Sequence, residues 1–146
     1  MMDNTKYLFV YGSLRSGFRN PAYGYLTKFF HLLGEGLVKG RIYFNGTTPV
    51  AVPTTDDHHI SGELYELNKT DEFEWAIGQL DDYEGLNVMP GEKPKYRRDL
   101  VEVSMKGEIT RSWIYWYNGD VAGMPEIESG EVLKYLHSKT NKPQNG

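Results

Sequence analysis

Residues 111–119 read RSWIYWYNG. With the period of two that a β-strand imposes, Trp113, Tyr115 and Tyr117 fall on one face, and Ile114 and Trp116 on the other. Neither face is polar, so this strand has to be covered on both sides, as in a barrel or a sheet packed by helices. Upstream, LVEVSM (100–105) alternates Val101 and Val103 with polar residues and reads as the other half of a strand pair. Further out, KYLFVYG (6–12) is a compact apolar run stopped by Gly12, and GRIYF (40–44) and ISGELYEL (60–67) have strand composition.

Helical periods lie between these strands. In RNPAYGYLTKFFHLLGEG (19–36), Asn20 serves as N-cap and Pro21 as first helical residue, Leu26, Phe29, Phe30 and Leu33 form a stripe, and Gly34 is the stop. TDEFEWAIGQL (70–80) reads as a second helix, capped by Thr70 or Asp71 with acids in its first turn, where the dipole favours them. ESGEVLKYLHSK (128–139) reads as a short closing helix. There is no internal repeat and no low-complexity linker. The fold class is α+β, one domain, built on a small mixed sheet or barrel.

The composition narrows the function. At 146 residues the chain is long enough to bury roughly two-thirds of its unfolded surface in one core. Its net charge of −4 argues against a nucleic-acid partner, and the richest basic stretch, KPKYRRD (93–99), reads as a loop entering a strand. Cysteine is absent, which excludes a disulfide framework, a thiolate metal site and a cysteine nucleophile, and fits a reducing cytoplasm. The N-terminal MMDNTKYLFVYG has too short an apolar run for a signal peptide or a membrane span. The tail SKTNKPQNG is expected to fray, leaving a domain over 1–138 and a disordered end over 139–146.

Three stretches carry candidate chemistry. VYGSLR (10–15) runs from a strand into a Gly-Ser turn, which is either a plain turn or one that turns its backbone N–H groups toward an anion. The second glycine of a nucleophile elbow is missing, which speaks against Ser13 as nucleophile. TTDDHHISG (54–62) offers Asp56, Asp57, His58 and His59, but adjacent strand residues point to opposite faces. His31 and His137 fall in expected helices without a metal-binding spacing. A polar hairpin loop accounts for the stretch, and no metal site is expected.

LDDYEG (80–85) places three acids where a helix ends. The apolar stripe Phe73, Ala76, Ile77, Leu80 continues four residues on to Glu84. At that position, burial and the helix C-terminus both disfavour a charge and raise the pKa into a range useful for moving protons near neutrality. In the other reading the helix ends a turn earlier and Glu84 faces solvent.

Taken together, LFVYGSLR, GELYEL, LDDYEG, YRRDLVEV, WIYWY and IESGEVLKYL, in this order, resemble the γ-glutamylcyclotransferase-like (AIG2-like) family. The resemblance implies a small mixed β-barrel flanked by a few helices, with a cavity at one end. It assigns Tyr11, Gly12, Ser13 and Leu14 to the cavity lining and Glu84 to the catalytic acid/base. Tyr96, Tyr115 and Tyr117 are either further walls or barrel packing. The reaction it implies needs no cofactor: the free α-amine of a γ-glutamyl unit attacks its own γ-carbonyl, and 5-oxoproline and the free amine depart. The partner is then a small γ-glutamyl molecule. A binding module without turnover and an amide hydrolase are the alternatives on the same scaffold.

Overall fold

A computed structural model describes residues 5–11, 22–46, 48–86, 88–128 and 130. Six strands and two helices succeed one another as β1 (Tyr7–Val10), α1 (Ala22–Phe29), β2 (Phe30–Phe44), β3 (Pro49–Pro53), β4 (His59–Leu67), α2 (Phe73–Tyr83), β5 (Tyr96–Met105) and β6 (Glu108–Tyr117). The sheet order is β3-β2-β4-β1-β6-β5, and a further pairing of β2 with β5 closes five strands into a barrel with β3 as an extra strand. All pairings are antiparallel except β1 with β6, which run parallel through Leu8 and Trp113. The barrel is therefore mixed, as the resemblance implied.

Two cores arise from the period of two. Phe9, Val38, Ile42, Ile60, Leu64, Val103, Ile114 and Trp116 come from all five barrel strands and fill the interior. The alternate residues Leu8, Val10, Tyr65, Leu67 and Tyr115 face outward and meet Leu26 and Phe29 of α1 and Ala76, Ile77 and Leu80 of α2. The strand read first, β6, contributes to both cores, as its aromatic faces required. Each fully buried Leu, Ile or Phe in these clusters contributes about 1.5–3 kcal/mol. Among the described helices, none is long and apolar enough to cross a membrane.

Several local expectations are corrected. The helix expected to run to Gly34 ends at Phe29, and Phe30, His31, Leu32 and Leu33 open β2 instead. Phe30 pairs with Leu67, His31 with Glu66 and Leu32 with Tyr65, with a bulge before Gly34. Ladder pairing with β4 decides against the helical stripe, since Leu33 is left exposed while Leu26, Phe29 and Phe30 are buried. GRIYF is the second half of this 15-residue strand. PVAVP (49–53), not singled out from sequence, is β3. Thr70 and Asp71 lie in a 3-10 turn ahead of α2, and neither they nor the N-cap residue Glu72 makes a side-chain cap. Asn20, Pro21, Gly12, Ser13, Leu14, the stretch 131–139 expected as closing helix and the tail 139–146 lie outside the described residues.

Close approach of β1 and β4 depends on Gly62. A Cβ there would overlap the Val10 carbonyl oxygen and come within 2.5 Å of Phe9 Cζ. Backbone cannot yield without parting the ladder, so Gly62→Ala is expected to cost about 1–3 kcal/mol or more in chemical denaturation. Gly78, on α2 with nothing within 4 Å of its added Cβ, is the control. There Gly78→Ala should stabilise by about 0.5–1 kcal/mol through helix propensity.

Candidate active site

LDDYEG ends α2 in a defined way. Glu84 is the C-cap residue, its N–H bonded to the Leu80 carbonyl at 2.9 Å. The next two amides turn back into the helix, Gly85 N–H to Asp82 O at 3.1 Å and Leu86 N–H to Asp81 O at 3.0 Å. This is the Schellman arrangement, and it needs the left-handed backbone that Gly85 supplies at φ +77°. Leu86 packs onto the outer core beyond Leu80 and pins the exit of the chain. The helix thus runs the full length of the apolar stripe, and Glu84 is half-buried rather than solvated.

Strand directions bring the tyrosines to Glu84. Because β1 and β6 are parallel and β5 is antiparallel to β6, the last residues of β1 and β6 and the first of β5 share one end of the barrel. Tyr11 follows β1 directly, Tyr96 opens β5, and Tyr115 and Tyr117 close β6. Tyr96 lies opposite Tyr117, their rings edge-on at 5.8 Å. Tyr11 is buried, donates to the Tyr115 carbonyl at 2.5 Å and takes a hydrogen bond from the Ala51 backbone. The Thr48 side chain hydrogen-bonds the Tyr96 hydroxyl.

Electrostatics couple these groups. Burial, and next the negative charge of Asp81, push the Glu84 carboxyl up to about 7, against a smaller opposing pull from Lys95. Burial raises Tyr96 to about 12 and holds Tyr11 and Tyr115 well above the ordinary phenol range. For all three, the charge of Glu84 makes ionisation harder still. The arrangement is a carboxyl poised to exchange a proton near neutral pH, surrounded by phenols that stay neutral.

Asp81 and Arg98 were not singled out from sequence. Arg98 Nε and Nη2 donate to the two Asp81 oxygens at 2.9 and 3.1 Å, and the Tyr115 hydroxyl donates to Oδ1 at 2.7 Å. A faint signal was present, since LDDYEG holds two acids more than the proton chemistry requires and YRRD holds two arginines on a strand.

Of the remaining candidates, His58 is bonded to the Gly40 and Glu128 carbonyl oxygens at 2.9 Å each, while His59 is exposed across the strand. Asp56 pairs with Arg41 at 2.9 Å. Among the described residues, no three histidines or acids converge on one point. A cleft of about 390 Å³ opens in the barrel wall between β2 and β5, lined by Leu37, Lys39, Leu100, Val101 and Trp116 among others. Neither Glu84 nor the four tyrosines line it.

The chain is similar to known proteins along most of its length. A family model described as gamma-glutamyl cyclotransferase, AIG2-like, matches residues 8–134. A Methanocaldococcus jannaschii protein, provisionally named a gamma-glutamylcyclotransferase, is 32% identical over 134 residues, covering 89% of this chain and 98% of that relative. The crystal structure of Bacillus subtilis YkqA superimposes with a TM-score of 0.69 at 26% identity over 94% of this chain, which spans 44% of the length of YkqA. A mouse AIG2-like protein shares the fold, with a TM-score of 0.62 at 20% identity over 84% of this chain and 86% of its own.

The raised Glu84 carboxyl makes a stability prediction. Its proton is held more tightly folded (about 7) than at the ordinary value of 4.5, so its contribution is fully present below about 4.5 and lost as pH rises through about 7. Glu84→Gln removes that loss. Thermal melts should match the parent at pH 4 and exceed it at pH 8. A difference in Tm that does not change with pH would contradict the assignment.

Proposed function

The chain belongs to the γ-glutamyl cyclotransferase, AIG2-like family, and from that premise we propose that it cyclises γ-glutamyl compounds, using Glu84 as proton carrier. The observation that carries this reading is one partly buried carboxyl, raised to about 7 and enclosed by Tyr11, Tyr96 and Tyr115 at a barrel end.

The chemistry divides into two proton transfers. The substrate's α-ammonium loses a proton to the Glu84 carboxylate, and its nitrogen forms a bond to the γ-carbonyl carbon. The tetrahedral oxyanion then collapses as the carbon–nitrogen bond to the departing amine breaks. Glu84 hands this proton to that amine, then takes the second proton of the attacking nitrogen and passes it on likewise, so the carboxylate is regenerated and the products are 5-oxoproline and the amine in its ammonium form. A carboxyl near 7 serves both steps because neither protonation state is costly at neutral pH. Closing a five-membered ring is intramolecular, so holding the glutamyl chain bent supplies much of the acceleration.

The buried tyrosines suit this role. Tyr11 and Tyr115 spend their protons on the Tyr115 carbonyl and on Asp81, so they shape the site without competing for the substrate's proton. Tyr96, which feels the charge of Glu84, is backed edge-on by Tyr117. Backbone amides of Gly12, Ser13 and Leu14 are proposed to hold the substrate carboxylate or the oxyanion. No cofactor enters any step.

Incubation with a panel of γ-glutamylamines and γ-glutamyl amino acids, assayed by chromatography for 5-oxoproline, tests the proposal. Turnover is expected from at least one compound, with Glu84→Gln slower by at least ~10²-fold, about 2.7 kcal/mol. The rate should climb with pH through about 7, where the base form of Glu84 appears, and should survive exhaustive chelation. Release of glutamate would mean an amide hydrolase. Saturable binding with no product from any compound would mean a binding module.

A further inference from the structure

We propose that Asp81 is the positioning residue of this site: clamped by Arg98 and the Tyr115 hydroxyl, it fixes the last turn of α2 and so the place where Glu84 meets its tyrosines. The inference rests on the reading of Glu84 as proton carrier.

Three observations converge. The clamp is complete, because both Asp81 oxygens are engaged by the Arg98 fork and Oδ1 also accepts from Tyr115. Such bidentate, charge-assisted pairs fix orientation as well as distance. The side chains of Asp81 and Arg98 are only 16% and 22% exposed, so the pair is shielded from solvent. The clamp is also braced from beyond: the Arg98 guanidinium lies over the Trp113 ring at 4.4 Å, and the Trp113 indole N–H donates to the Thr5 carbonyl at 3.0 Å.

Position on the helix makes the clamp matter for chemistry. Asp81 precedes Glu84 by three residues, which places the two side chains as neighbours on the helix surface. Its carbonyl also accepts the Leu86 amide, so the same residue holds the chain on both sides of Glu84. Among the described residues, the groups facing Glu84 are Asp81 from α2, Lys95 from the segment entering β5, Tyr96 from β5, Tyr11 from the end of β1 and Tyr115 from β6. Of the two charged ones, Asp81 is held in one geometry, and its fixed negative charge favours the protonated form of Glu84. A mere staple between helix and barrel would need the ion pair, and its charge would act on the Glu84 titration, but a folded variant that keeps that charge and loses only the fork would keep the parental kcat.

The experiment separates charge, geometry and function. Glutamate labelled with ¹³C at Cδ is incorporated, the Glu84 signal is assigned by its loss in Glu84→Gln, and its titration is followed in the parent, Asp81→Asn and Arg98→Lys. Asp81→Asn removes the charge and is expected to lower the Glu84 midpoint by about one unit and kcat by on the order of tenfold, with KM changed less than about threefold. Arg98→Lys keeps the charge of Asp81 paired but loses the fork. It should lower kcat similarly while moving the midpoint much less. Folded variants, with parental near-UV circular dichroism, that keep both the parental midpoint and the parental kcat overturn the proposal. Should Asp81→Asn not fold, a parental kcat in Arg98→Lys overturns it alone. If the parent turns over no γ-glutamyl compound yet the midpoint falls in Asp81→Asn, the cyclotransferase reading fails and the hold of Asp81 on Glu84 stands.

Discussion

Strand β6 is the constraint from which the molecule is built, because it must satisfy two hydrophobic cores at once. Ile114 and Trp116 complete the barrel interior, while Trp113 and Tyr115 present the surface on which the helices settle. The parallel pairing with β1 sets which ends of the strands coincide. Tyr11, Tyr96, Tyr115 and Tyr117 gather at that common end for reasons of topology alone. The helix that packs on the outward face then delivers its C-terminus to the same place. Position in the fold, rather than any special sequence device, is what surrounds Glu84 with phenols.

The two acids of this helix end show how one motif produces opposite electrostatic outcomes. Asp81 receives three hydrogen bonds, two from a guanidinium, and its charge is paired where it sits. Glu84, one turn on, is half-buried beside that charge, and among the described residues only Lys95 of the groups acting on it favours ionisation. Exchanging the partners would exchange the roles. The C-cap geometry with Gly85 holds the backbone on both sides of Glu84.

Much of this was legible in the sequence because it depends on short periods. The alternation in RSWIYWY required two covered faces, and the stripe Phe73, Ala76, Ile77, Leu80 led to Glu84. The failures occurred where local period and tertiary pairing compete. Leu26, Phe29, Phe30 and Leu33 have helical spacing, yet the segment divides after Phe29 because β4 offers a ladder to Phe30, His31 and Leu32. PVAVP has a proline at each end and too few residues to announce a strand, and it forms one because β2 is long enough to hold it. Asp81 and Arg98 lie 17 residues apart, and nothing local marks them as partners. Contacts of that kind belong to the fold, and a linear reading meets only their two halves.

Strand β2 changes partner along its length. Among the described residues it is laddered to β4 from Phe30 to Lys39 and to β3 from Gly40 to Phe44, and meets β5 only at its middle, through Leu37 and Ser104. The opening half of β5, which begins at Tyr96, therefore has its ladder to β6 and none to β2. The cylinder is slit lengthwise, and the slit runs toward the end that holds Glu84. The wall on this side is held by one β2–β5 pairing, Leu37 with Ser104, and the cleft of about 390 Å³ opens between the same two strands.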